Sequence, residues 1–234
     1  MKKVMMLAAT VLLFATGTAR ADIAMTNALA SWNQQGLAGS QASTSGINTT
    51  SITANVMARN GGLTTNAGGS SLNSATWTSG GYVEFGFTVA SGYHANLDSL
   101  YFGSKVSATG PTSLIVKTSA DNFANAFTTI AMNNTITGTP YINNVVSLNS
   151  LAAIASGNTF SIRLYGSGAT SASGTLRVGD YLDTAGTLGT ANTYYFDTIT
   201  GTVAADATPT PIPAAAWLLG SGLLGLMGIR RRKA

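Results

Sequence analysis

Residues 82–90 read Tyr-Val-Glu-Phe-Gly-Phe-Thr-Val-Ala, with Val83, Phe85, Phe87 and Val89 at every second position and Glu84, Gly86 and Thr88 between them. Side chains of an extended chain point alternately to opposite faces, so this spacing specifies a half-buried strand; on a helix the same residues would scatter around the axis. The pattern recurs. Leu100, Phe102 and Val106 share a face, as do Leu114 with Val116, and Phe160, Ile162 and Leu164 alternate with Ser161, Arg163 and Tyr165. Leu176 with Val178 and Tyr194 with Phe196 repeat it more weakly, and 52–58, 127–132 and 145–148 read as further strands. Turn residues separate these runs, among them Ser79-Gly80-Gly81, Ser91-Gly92, Gly138-Thr139-Pro140 and Gly166-Ser167-Gly168. Eight or nine strands with a turn about every dozen residues predict an all-β fold, an antiparallel β-sandwich of jelly-roll-like form. One short helix is expected over 27–34 with Trp32 on its apolar side, and 36–76, rich in Gly, Ser, Thr and Asn, is expected to contain long loops.

Composition narrows the chemistry. The 234 residues hold no Cys and one His, which excludes disulfide scaffolds, thiol nucleophiles, Cys-ligated metals and His clusters. Only 9% of residues are charged, with 12 Lys+Arg against 8 Asp+Glu. The basic residues concentrate at the ends, so residues 22–208 hold five basic and eight acidic side chains, net −3. No basic stripe is left there to neutralise phosphates, and nucleic acid is not expected as a partner.

The ends read as addresses. Lys2 and Lys3 precede an apolar run, Val4 to Ala15, and then Ala19-Arg20-Ala21. That is the three-part pattern of a signal peptide: residues 1–21 form a signal helix, with cleavage by signal peptidase between Ala21 and Asp22. Residues 22–205 form the body. Residues 206–234 form a tail in which Pro209, Pro211 and Pro213 break any ladder or helix, followed by the uncharged stretch Ala214 to Ile229 and then Arg230, Arg231, Arg232 and Lys233. Sixteen helical residues span about 24 Å, so a short transmembrane helix fits if the arginines snorkel. The charge bias places the C-terminus in the cytoplasm and the body across the membrane.

This tail resembles a PEP-CTERM sorting domain, closest to the variant in which a Val-Pro-Leu-Pro-Ala signature precedes Ala-Ala-Trp-Leu-Leu-Gly-Ser-Gly. The matching residues are Thr210, Pro211, Ile212, Pro213 and Ala214, then Ala215 to Gly222, with Thr210 in place of the signature's Val. The resemblance implies a Gram-negative, polysaccharide-producing bacterium and an exosortase-type membrane enzyme that recognises and cleaves the tail. It further implies anchoring in the inner membrane before processing and residence at the cell surface or in the extracellular matrix, the biofilm setting, afterwards. The body is similar to those of many exported PEP-CTERM proteins over about 80–201, through Gly92-Tyr93, Leu97 to Phe102, Ser119 to Phe123, Phe160 to Gly166 and Gly174 to Arg177. It departs from them at 183–193, which reads as an insertion before a last strand over 194–203.

Candidate chemistry in the body is sparse. His94 sits between two strands with no Gly-x-Ser-x-Gly elbow to supply a nucleophile, and reads as an exposed loop histidine. A glycosidase needs two carboxylates flanking a cleft; Glu84 lies on the polar side of its strand, and Asp180 and Asp183 read as turn caps or solvated groups. Asp121, Asn122, Asp180 and Asp183 offer oxygen ligands for calcium, but no calcium-loop motif accompanies them, so no metal and no cofactor is expected. Glycans stack on aromatic rings and bond to amides and carboxylates. The candidate glycan contacts are Tyr165, Arg163, Trp77 and Tyr181, drawn from a set that includes Tyr93, Tyr141, Tyr194 and Tyr195. Arg163 leaves the core by alternation and is expected to pair with Asp98 or Asp121. The expectation is a structural or adhesive, non-enzymatic exported protein with extracellular polysaccharide as a partner. A lectin-like carbohydrate-binding module is the alternative, and a glycoside hydrolase comes third.

Overall fold

The alternating run at 82–90 forms a strand, Tyr82–Val89, with Val83, Phe85, Phe87 and Val89 buried and Tyr82, Glu84 and Thr88 partly exposed. In the computed structural model, which describes residues 22–133 and 141–207, it is one of 17 strands. In chain order these are β1 (Ala28–Trp32), β2 (Ser43–Thr44), β3 (Gly46–Ile47), β4 (Ile52–Ala54), β5 (Met57–Asn60), β6 (Thr64–Thr65), β7 (Ser71–Ala75) and β8 (Tyr82–Val89). Then come β9 (Tyr93–Val106), β10 (Ser113–Thr118), β11 (Thr128–Ala131), β12 (Ile142–Ser147) and β13 (Thr159–Ser167). The last four are β14 (Leu176–Gly179), β15 (Tyr181–Asp183), β16 (Thr193–Tyr195) and β17 (Asp197–Ala205).

The ladders are antiparallel throughout. The first sheet has eight strands in the order β3-β1-β17-β9-β14-β7-β6, with β12 also on β9. The second has seven, β11-β10-β13-β8-β5-β2, with β4 also on β8. β15 and β16 form a separate two-stranded ribbon. Both sheets feed one core: Trp32, Leu100 and Phe102 come from the first, Phe85, Phe87, Phe160 and Ile162 from the second. Trp32 meets Phe85 edge to face at 4.9 Å between ring centroids, which ties the two sheets together. Each such side chain stabilises the fold by about 1.5–3 kcal/mol through burial alone.

Three expectations are corrected. Residues 27–34 are not helical: β1 runs between β3 and β17, and all four of Leu29, Ala30, Ser31 and Trp32 are buried. A strand covered on both faces carries no alternation, so its composition reads as helix while its pairing decides otherwise. The 36–76 region is built of six short strands, β2 to β7, rather than long loops. The strand expected over 52–58 is broken at Asn55 and Val56 into β4 and β5, both paired with β8. In the 183–193 stretch, Asp183 pairs with Thr193 and residues 184–192 form the loop of the β15–β16 hairpin. It is closed by Asp183, whose carboxylate accepts from the amides of Thr187 at 3.0 Å and Leu188 at 2.7 Å.

Ala19, Ala21 and the rest of the signal segment, the Gly138–Pro140 turn, and the tail with Pro211, Ile212, Pro213, Ala214, Arg230, Arg231 and Arg232 lie outside the described residues. Among those described, no helix is long and apolar enough to cross a membrane.

Candidate functional site

The polar positions of β8, β10 and β13 collect on the outer face of the second sheet. Register places Arg163 between Lys117 and Glu84, with Ala58 beyond Glu84; the adjacent row is Ile115, Tyr165, Tyr82 and Asn60. Arg163 Nε donates to Glu84 Oε2 at 3.0 Å. The guanidinium carbon lies 4.5 Å from the centroid of Tyr82 and 3.7 Å from that of Phe123, so the cation is stacked between two rings. Burial works against its charge, but hydrogen bonds to Tyr165 and Glu84 outweigh it and raise the pKa. Tyr82 and Tyr165 sit 4.9 Å apart, and Lys117 Nζ lies 5.6 Å from the Tyr165 ring. Lys117 Nζ also donates to the carbonyls of Phe123 at 3.1 Å and Ala124 at 3.3 Å, holding the turn that carries Phe123. Asn122 and Phe123 are both left-handed there, with φ of 56° and 60°.

Of the four residues expected at a glycan surface, this face brings together Arg163 and Tyr165. Trp77 is removed from the set. It is 2% exposed, its Nε1 donates to Ser74 O at 2.8 Å, and its indole covers Gly166, where an added Cβ would sit 2.6 Å from a ring carbon. Tyr181 is removed too: at 8% exposed it packs with Met25 and Tyr195 and meets Tyr101 edge to face at 5.4 Å. Burial raises the pKa of its hydroxyl. Arg163 pairs with Glu84 rather than Asp98 or Asp121, because Glu84 lies directly across the ladder. Asp121 accepts instead from the Asn125 backbone at 2.9 Å and its amide at 3.1 Å, an Asx-type turn whose hydrogen bonds lower its pKa.

Beside the Arg163 row lies an open groove of about 290 Å³, lined by Asn55, Val56, Ala58, Asn60, Glu84, Phe85 and Ser161. Its floor is low because small residues meet there: Gly86 lies opposite Ser161, and Ala58 opposite Glu84. Two other open grooves, of about 340 and 240 Å³, are lined by no ionisable side chain. Nothing in the sequence marked the groove as such, although the small residues at outward strand positions were visible.

A second polar cluster is enclosed. Asp180 and Asp197 are 1% and 0% exposed, which corrects the solvated reading of Asp180, and Asp183 at 2% is likewise enclosed. Gln34 bridges the pair, its backbone amide donating to Asp180 Oδ1 at 3.3 Å and its Nε2 to Asp197 Oδ2 at 3.2 Å. Thr44 Oγ1 orients it by donating to Gln34 Oε1 at 2.9 Å. Among the described residues, Asp197 Oδ1 has no hydrogen-bond partner. Burial, and then the Asp180 charge, push the Asp197 carboxyl well above its ordinary range, with Asp22 adding to the push; bonds from Gln34 and the Gly103 backbone oppose it without reversing it. Both carboxyl groups are buried, so they do not flank an open cleft of the kind glycoside cleavage needs. Asp197 was not singled out from sequence, since an aspartate beside an aromatic pair carries no signal of burial.

Arg59, on β5, is partly buried and is satisfied by the protein itself. Its guanidinium donates to the carbonyls of Gly39 at 2.6 Å, Gln41 at 2.5 Å and Asn73 at 2.6 Å, and to Ser74 Oγ at 3.0 Å. Burial lowers its pKa to about 10. His94, placed at the start of β9 rather than in a loop, has Nδ1 at 2.8 Å from Asp206 Oδ1, with both side chains substantially exposed. Among the described residues no three His, Cys, Asp or Glu side chains come together as a metal site. Compared with protein-family models, with curated proteins and with solved structures, the chain finds no match in any of the three.

Proposed function

We propose that this is an exported, non-enzymatic protein of the cell surface or extracellular matrix of a Gram-negative, polysaccharide-producing bacterium, with a structural or adhesive role. The body is read as a jelly-roll-like sandwich delivered by a removable C-terminal tail. The observation that carries the reading is the order of that tail: Pro211-Ile212-Pro213-Ala214, an uncharged stretch, then Arg230 to Arg232. Signal peptidase would free Asp22, the stretch would hold the chain in the inner membrane with its arginines in the cytoplasm, and an exosortase would cut near the proline motif.

The test replaces Pro211 and Pro213 with Ala and follows intact mass and localisation in the producing cell. The wild-type protein should begin at Asp22, lack the Arg cluster and leave the membrane fraction. The variant should keep its tail and stay there. Normal release of the variant would overturn the sorting assignment.

A further inference from the structure

We propose that the groove beside Arg163 binds a short segment of a neutral polysaccharide, which gives the adhesive reading a ligand class and rests on that reading. The groove gathers two amides, a hydroxyl and one carboxylate: Asn55, Asn60, Ser161 and Glu84. Alternating donors and acceptors of this kind match vicinal sugar hydroxyls, which both give and take hydrogen bonds.

Elsewhere in the body, amides serve the chain itself. Asn73 Nδ2 donates to Ala67 O at 2.7 Å, and Asn144 Nδ2 to Ser104 Oγ at 2.8 Å and Ile142 O at 3.0 Å. In the groove the commitments are light. The Asn60 amide makes a long 3.5 Å contact to Ala58 O, and Glu84 places Oε2 on Arg163 while retaining a second acceptor oxygen. Arg163 is itself locked by Glu84 and two rings, so it holds the carboxylate in place. Val56, at 55% exposed, gives the rim an apolar flank for the C–H face of a pyranose.

Charge selects the class. Glu84 is the one acidic or basic side chain among the lining residues and already faces Arg163, so the groove offers no cation to a uronate or sulfated polymer, and residues 22–208 are net −3. Size selects the mode. At about 290 Å³ and open to solvent, the groove falls at the bottom of the ~300–1,000 Å³ range of enclosing pockets, and suits a few residues of a chain lying across the sheet.

The experiment incubates the full chain, in mild detergent, with insoluble cellulose, xylan and mannan, and with calcium-alginate beads as the polyanionic probe. Retention on at least one neutral polymer and not on alginate is expected. Glu84→Gln and Asn60→Ala should each weaken it about tenfold, the loss of one well-placed hydrogen bond. Asn55→Ala lies between strands and tests the same contact with the melting temperature unchanged. No retention on any neutral polymer, equal retention by all three variants, or preference for alginate would each overturn the proposal. Localisation of the Pro211/Pro213 variant is scored separately, so failure of sorting and failure of glycan binding are told apart.

Discussion

On the outer face of the second sheet Arg163 finds Glu84 directly across the ladder and donates to it from between the rings of Tyr82 and Phe123. Where β1 meets β17, Asp197 finds Asp180 in place of a cation, and its carboxyl is driven toward the protonated form. Arg59 stands between these cases, a cation satisfied by backbone carbonyls. In a chain with so few charges, the neighbour's sign and the local exposure decide whether an ionisable side chain stays ionised. The Arg163–Glu84 pair is only partly buried, so it costs less to desolvate and contributes little. The enclosed groups carry the larger penalties, so most of the electrostatic sensitivity should sit there.

The largest expected effect comes from removing Arg59. Arg59→Ala removes a guanidinium donor from the carbonyls of Gly39, Gln41 and Asn73, of which Gly39 and Asn73 keep the backbone donors Asn73 N and Asn66 N, and should cost about 2–4 kcal/mol by urea denaturation. A cost below about 0.5 kcal/mol, the level of a surface change, would break the contrast between enclosed and exposed charge.

A smaller effect of opposite sign is expected at Asp197. The unfolded chain releases this proton above about pH 4, whereas the native state retains it to higher pH. Stability from this group is therefore fully present below about pH 4, and is lost as pH rises toward the native value. Asp197→Asn should raise the Tm at pH 8 by about 3–5 °C and remove the part of the wild-type gain on acidification that this group supplies. A variant with a lower Tm at pH 8 would show that the carboxylate is needed there in its charged form.

The smallest effect belongs to the Arg163–Glu84 pair. A double-mutant cycle with Glu84→Gln and Arg163→Met should give a coupling of about 0.5–1 kcal/mol, reduced in 1 M salt. A salt-insensitive coupling above about 3 kcal/mol would mean that this face is as desolvated as the Asp197 site and would erase the comparison.

How much was readable follows the same division between exposed and enclosed positions. β8, β10 and β13 were legible because one face of each meets solvent, so polar and apolar residues alternate. The same alternation placed Arg163 and Tyr165 on the outer face. β1 was misread because both of its faces are covered. Trp77 and Tyr181 were misread for a related reason: an aromatic residue next to a turn looks exposed until the packed neighbours, Gly166 for one and Met25 with Tyr195 for the other, are in place.

Sequence alone determined the all-β character, the strands with one wet face and the ordered proline, apolar and arginine segments of the tail, since each is written in local spacing. Tertiary structure decided that Glu84 is Arg163's partner, that Asp180 and Asp197 share a sealed site, and that Asn55, Asn60, Glu84 and Ser161 line one groove. Those residues come from segments far apart in the chain, and pairing energies that depend on distance and burial have no counterpart in local spacing.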